Sequence, residues 1–172
     1  MQDWPVAELI ETDRLTLEPL RPAHAAEMAA ALDDVALHRY IGGRPASVDA
    51  LWRRYQRQSV GVSPDGTEGW LNWVVRHRAT HAAVGTVQAT VSRDGDGLQA
   101  ELAWVIATAH QRRGYAAEAA TAMTGWLRGR GVDRFVAHVH PEHRASQRVA
   151  GRLGLAATEV EVEGEIRWAG GA

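Results

Sequence analysis

Three strand-like runs follow one another with few residues between them: Trp70 to Arg76, Ala83 to Val91 and Leu98 to Ile106. Connections that short cannot carry a crossover, so the runs must pair antiparallel as a meander. The second connection, Asp94-Gly95-Asp96-Gly97, is turn chemistry. As a calcium loop it lacks the further acidic ligands, so it is assigned no metal. After Ile106 the pattern alternates: Gly114 to Arg128 reads as helix, Phe135 to Val139 as strand and Ala145 to Leu153 as helix. Ala157 to Val162 then pairs with Glu165 to Trp168 across Glu163-Gly164. Upstream, Arg14 to Glu18 is a strand stopped by Pro19, and Pro22 opens a helix through Leu32. A short helical piece from Val35 to Tyr40 breaks at Gly42-Gly43. Ser47 is an N-cap for a helix with Leu51, Trp52 and Tyr55 on one face and Arg53, Arg54 and Arg57 on the other, the latter read as solvated surface. Strands that first cluster and then alternate with helices imply an α+β domain on one mixed sheet. At 172 residues and 45% hydrophobic content, one domain spanning 1–172 is expected.

Composition removes several chemistries. The formal charge of -2 supplies no basic field for a nucleic-acid backbone or an anionic membrane surface, so neither is an expected partner. With no cysteine there is no disulfide, thiolate metal site or cysteine nucleophile. All 19 basic residues are arginine, which excludes a Schiff-base lysine and a P-loop. Met1 to Ile10 lacks a cationic stretch followed by an apolar one, and no apolar run has spanning length, so cytoplasmic residence is the expectation.

Between the third run of the meander and the next helix lies Gln111-Arg112-Arg113-Gly114-Tyr115-Ala116. That helix carries Ala116, Ala119, Ala120, Met123 and Leu127 near one face, a narrow stripe that lets it lie close to a sheet. Its N-terminus offers unbonded N–H groups and the positive dipole end. Gly114 permits close backbone approach, and Arg112 and Arg113 add charge-assisted donors, so a pyrophosphate fits. By itself such a segment is equally an ordinary loop with exposed arginines. No G-x-G-x-x-G follows a strand, since Gly129-Arg130-Gly131 comes after a helix.

The segment resembles the Q/R-x-x-G-x-G/A signature of the GNAT superfamily of acyl-CoA-dependent N-acyltransferases. Glu101 to Ile106 before it, Arg113 to Ala119 through it and His140 to Ser146 after it resemble the RimJ/RimL branch, as do Glu11 to Leu17 and Leu153-Gly154-Leu155. The resemblance implies a mixed, mostly antiparallel central sheet of about seven strands flanked by helices and splayed between the fourth and fifth. It implies acetyl-CoA as co-substrate and no metal. Backbone groups of Val105 and Ile106 would pair with the pantetheine arm, with an N–H near Val105 as oxyanion donor. The N–H groups from Arg112 to Ala116 would hold the pyrophosphate, with Gln111 opening the motif. The family has asparagine where this chain has His143, a weaker N-cap that can still donate one hydrogen bond to the cofactor arm.

Acyl transfer needs a neutral amine, a donor for the carbonyl oxygen and a proton for the thiolate. Glu101 is the candidate base, on the same strand face as Ala103 and Val105; a structural carboxylate, with water taking the proton, is the other reading. Ser146, at the branch's serine position, is the candidate proton donor, or else a helix cap. Tyr115 reads as packing. His138 and His140 share a strand face near His143 but lack a carboxylate partner for a metal. Most of the seven tryptophans are expected in the core, with Trp52, Tyr55, Trp70 and Trp73 lining the acceptor pocket. The expected reaction is direct acetyl transfer to a primary amine of a protein N-terminus or small molecule; a non-catalytic acyl-CoA sensor and a succinyl-CoA donor are the alternatives. A homodimer is compatible with the resemblance.

Overall fold

The computed structural model describes residues 4–171, so the first three residues and the last lie outside it. Strand β1 (Ile10–Glu11) pairs with β2 (Leu15–Pro19). A 3-10 turn leads into α1 (Ala25–Ala31), another into α2 (His38–Ile41), and Ser47 Oγ accepts from Ala50 N at 3.2 Å to cap α3 (Val48–Gln58). The meander is β3 (Gly69–His77), β4 (Ala83–Asp94) and β5 (Gly97–Ile106); α4 (Tyr115–Arg128), β6 (Val132–Val139), α5 (Arg144–Arg152), β7 (Ala156–Val162) and β8 (Glu165–Gly171) complete the order.

Among the described residues eight strands form one sheet in the order β1-β2-β3-β4-β5-β6-β8-β7, antiparallel except for β5 with β6. The additional strand is β1, two residues too short to show a period. β8 runs past Trp168 to Gly171; the close approach of Gly170 to Gly154, whose carbonyl a Cβ there would meet at 2.6 Å, explains glycine in that strand.

Alternation on the strands divides the core. One face sends Leu71, Trp73, Val87, Leu102 and Phe135 against Ala119, Ala120, Met123 and Leu127 of α4. The other sends Val74 against Met28 of α1 and Leu51 and Tyr55 of α3. Of the tryptophans only Trp73 is fully buried; Trp4, Trp104, Trp126 and Trp168 pack half-buried on the first cluster. The reading of most as core overstates their burial, because a ring this large seldom loses all its surface.

His24 is buried beside this second cluster. Its Nδ1 accepts from Arg21 N at 3.0 Å, which places the proton on Nε2, where it has no partner. Burial, chiefly, holds the imidazole below its usual range; Arg21 and Arg76 reinforce this and Glu18 and Glu27 oppose it. The folded state therefore resists protonation more than the unfolded chain does. Stability from this residue is complete above the unfolded pKa of 6.5 and declines as pH falls below it. Urea unfolding at neutral and mildly acidic pH is expected to show that decline, and His24→Gln, whose side-chain oxygen can still accept from Arg21 N, to flatten it.

Candidate active site

The parallel pairing of β5 and β6 ends at Leu102 with Ala137, while β5 stays paired with β4 as far as Ile106. A gap therefore opens between β5 and β6 beyond that pair. Ala107 N donates to Val84 O at 2.8 Å, and since alternate residues of a strand turn their N–H groups to the same edge, the Val105 N–H also faces β4. Its carbonyl does so too: a Cβ on Gly85 of β4 would meet Val105 O at 2.1 Å. The backbone groups bordering the gap are thus those of Trp104 and Ile106. The Val105 backbone therefore faces β4 and not the gap, unlike the expectation for it, and Val105 lines the cavity on the other face of the sheet. Gly85 was missed, although a glycine inside a strand signals close backbone approach.

The turn after β5 brings the N-terminus of α4 to this gap. Gln111 Nε2 donates to Ile106 O at 3.0 Å, tying the turn to the strand end. Arg112 (φ 64°) and Gly114 (φ 81°) both take the left-handed conformation, and Gly114 precedes the first residue of α4. The first helical bond runs from Glu118 N to Gly114 O at 3.0 Å, leaving the N–H groups of Tyr115, Ala116 and Ala117 without a carbonyl one turn back. Arg112 and Arg113 side chains have no acidic partner among the described residues. Arg113 and Arg152 border an open groove beside the turn. Free donors, positive charge and a glycine without Cβ fit a pyrophosphate.

What holds this turn is a network around Glu118. Its carboxylate accepts from Thr12 Oγ1 at 2.7 Å, Arg14 N at 3.1 Å and Arg14 Nε at 2.7 Å, and lies 2.6 Å from Arg14 Nη2. Arg14 Nη1 then donates to Arg113 O at 2.9 Å. Burial acts to raise the Glu118 carboxyl, but the hydrogen bonds from Thr12 and Arg14 outweigh it and hold the group below the usual carboxylate range. Tyr115 is buried under Arg14 and edge-on to His77, a packing position for its side chain.

On the far side of the gap His143 N-caps α5 with no side-chain cap bond. Tyr40 of α2 stacks on its ring at 4.2 Å between centroids. Burial, followed by the charge of His140, holds His143 below its usual range, which keeps the imidazole neutral at neutral pH. Ser146 Oγ accepts from Trp104 Nε1 at 3.2 Å and lies 3.5 Å from His143 Nε2. An indole N–H can only donate, so the Ser146 proton is directed away from Trp104. Sequence reasoning missed Trp104 and Tyr40, whose roles arise from contacts between distant segments.

On the other face of the sheet a cavity of about 180 Å³ lies between α1, α2, α3 and strands β3 to β5. Tyr55 lines it and is 4% exposed; Val105, Thr86 and Gln88 form part of its floor. Trp73 borders it through backbone, because its indole points to the opposite face, donates to Glu8 O at 2.8 Å and meets Trp126 edge-on. Trp52, 45% exposed, and Trp70, bonded to Glu68 at 3.0 Å, lie outside the lining. Arg54, read as solvated surface, reaches the cavity wall. Glu101 is 57% exposed and 3.1 Å from His138 Nδ1. Four residues of strand put it about 13 Å from Val105, with Thr90 and Gln88, the partners of Glu101 and Ala103 on β4, between them. Among the described residues no group of three or more ligating side chains could hold a metal.

A domain model described as Acetyltransferase (GNAT) domain matches residues 14–156. The chain belongs to the GNAT acetyltransferase family. This membership makes it an enzyme of the acyltransferase class. A GNAT-family acetyltransferase from Bordetella pertussis is 28% identical with a TM-score of 0.70, covering 95% of this chain and 98% of that one. RimL, the ribosomal L7/L12 alpha-N-protein acetyltransferase solved with coenzyme A, is 16% identical with a TM-score of 0.78 over 95% and 98%. The microcin C7 self-immunity acetyltransferase MccE, solved with acetyl-CoA and AMP, is 13% identical with a TM-score of 0.76 over 94% of each chain. A search of curated proteins gave no match. The mixed GNAT fold and its likeness to RimL agree with the expected architecture. Among the described residues no helix is long and apolar enough to cross a membrane.

Proposed function

We propose that this GNAT protein transfers acetyl from acetyl-CoA directly to a primary amine. The observation that carries the reading is the left-handed Gly114 turn, whose free N–H groups sit at the mouth of the gap between β5 and β6. RimL and MccE, bound to CoA and acetyl-CoA, support the co-substrate. The turn, with Arg113 and Arg152, holds the phosphates, and His143 borders the arm. Trp104 and Ile106 N–H groups serve the pantetheine amide and the thioester oxygen. The amine arrives from the Tyr55 cavity on the side where the Val105 side chain lies.

The nitrogen lone pair forms the C–N bond while the carbonyl pair moves to oxygen. Collapse re-forms the carbonyl and breaks the C–S bond, giving an amide and a thiol. The amine proton passes through water toward Glu101, past Gln88 and Thr90, since Glu101 is too far for direct transfer. Ser146 gives the sulfur its proton and is reprotonated from solvent. With no cysteine in the chain, no acyl-cysteine intermediate forms.

Ser146→Ala is expected to lower kcat about a hundredfold at neutral pH, the low end for general-acid catalysis because thiolate leaves readily. Acetyl-CoA affinity should hold, and the deficit should shrink as pH rises through the pKa of the CoA thiol, where the departing thiolate no longer needs a proton. A pH profile of kcat checks this. The reading as a whole is tested by thiol release from acetyl-CoA across an amine panel. Amine-dependent release with a matching yield of acetylated amine is expected. CoA binding without such release would instead mark an acyl-CoA-binding module.

A further inference from the structure

The Tyr55 cavity has a charge character that the transfer reaction by itself does not require. Arg44, in the loop after α2, and Arg54, on α3, reach its helical wall from two different elements, and His38 of α2 joins them. Neither arginine has an acidic partner among the described residues. No carboxylate side chain lines the cavity. The nearby acids of β2 and α1 are already engaged: Arg76 binds Glu18 at 2.5 Å and Glu27 at 2.7 Å. His38 Nδ1 is used by Gly42 O at 2.9 Å, leaving Nε2. Tyr55 is 4% exposed as a residue, and its hydroxyl has no hydrogen-bond partner among the described residues, so it is accessible from the cavity it lines. The sheet wall opposite presents the neutral side chains of Asn72, Thr86 and Gln88.

Two unpaired guanidinium groups and a free phenol around one small cavity form a receptor for an anion. They oppose a cationic or polycationic substrate, which would meet like charge on entry. The volume of about 180 Å³ is below the roughly 300–1,000 Å³ of pockets for drug-sized ligands, so the group that enters is small. Resting on the acyltransfer reading above, we propose that the acceptor is a small primary amine bearing a carboxylate or phosphate. The anion docks on Arg44, Arg54 and the Tyr55 hydroxyl. The amine then faces the sheet wall, where Val105 marks the strand end beside the gap.

The test compares matched amines in the thiol-release assay: an amino acid with its amide, an aminoalkyl phosphate with its amino alcohol, a linear diamine, and a neutral peptide with a free N-terminus. The two anionic arms distinguish carboxylate from phosphate. A charge-assisted pair predicts roughly tenfold or more higher kcat/KM for the anionic member. Arg54→Gln should raise the acceptor KM and bring the pair toward parity without changing CoA affinity. Arg57→Gln, exposed on the same helix and outside the lining, should keep the preference. Equal or better use of the amide, diamine or neutral peptide overturns the proposal, as does an Arg54→Gln protein that discriminates like wild type. Calorimetry of the anionic amine into CoA-loaded protein separates the two readings. Binding that Arg54→Gln abolishes, with no turnover, supports the anion site and removes the acyltransfer reading; absence of binding overturns the anion site whatever the turnover.

Discussion

Gly85→Ala is expected to destabilise the fold by about 3 kcal/mol and to weaken acetyl-CoA binding at least tenfold. The new Cβ would lie 2.1 Å from Val105 O, 2.9 Å from Ile106 Cδ1 and 3.0 Å from Ile106 Cα. Two of these are backbone atoms, so relief requires β5 to move away from β4. That movement shifts the strand end whose Trp104 and Ile106 amides border the gap, so stability and binding should fall together. For a chain of this size the loss corresponds to roughly 6–12 °C in Tm. Gly125→Ala is the control. A Cβ there meets nothing within 4 Å, and alanine in a helix interior should add roughly 0.5–1 kcal/mol. Thermal unfolding and calorimetric titration check both variants; an unchanged Tm and CoA affinity for Gly85→Ala would contradict the close approach.

Glu118→Ala should cost about 1–2 kcal/mol, a figure kept low because half-exposed Arg14 is partly screened by water. Its effect on CoA should be larger in proportion, a rise of roughly tenfold or more in Kd. Thr12, Arg14 and the Arg113 carbonyl are connected through this one carboxylate and its arginine. Without it the turn loses its tie to the segment before β2. The pH dependence has a fixed sign: because the folded carboxyl lies below its ordinary value of 4.5, its stabilisation is complete above that pH and is lost as pH falls through the folded value. The stability gap between wild type and Glu118→Ala should therefore close in acid. A gap that stays constant down to acid pH would show that Glu118 acts without its charge.

The meander, the Gly114 turn and the Ser47 cap were legible because each is written locally, in alternation, glycine and capping chemistry. The Val105 assignment illustrates what was not. The strand was visible, but which edge a residue turns its N–H toward depends on register with β4, and register is a property of two segments. The acceptor residues show the same limit. Trp73 and Tyr55 are both aromatic and both near the cavity, yet the side chains lie on opposite sides of the sheet. The arginines of α3 looked alike on a helical wheel, and only the packing of α2 and the Arg44 loop places Arg54 at the cavity while Arg57 stays outside it. Glu118 sat in a recognisable segment, but its partners, Thr12 and Arg14, are more than one hundred residues away.

The most direct measurement on the claim that the Gly114 turn holds the pyrophosphate of coenzyme A is backbone amide NMR of the labelled protein titrated with CoA and, separately, with pantetheine. CoA should shift the amides of Arg113 through Ala117, while pantetheine, lacking the phosphates, should shift Trp104 and Ile106 and leave the turn unmoved. Saturable CoA binding that left the amides of the turn in place would contradict it.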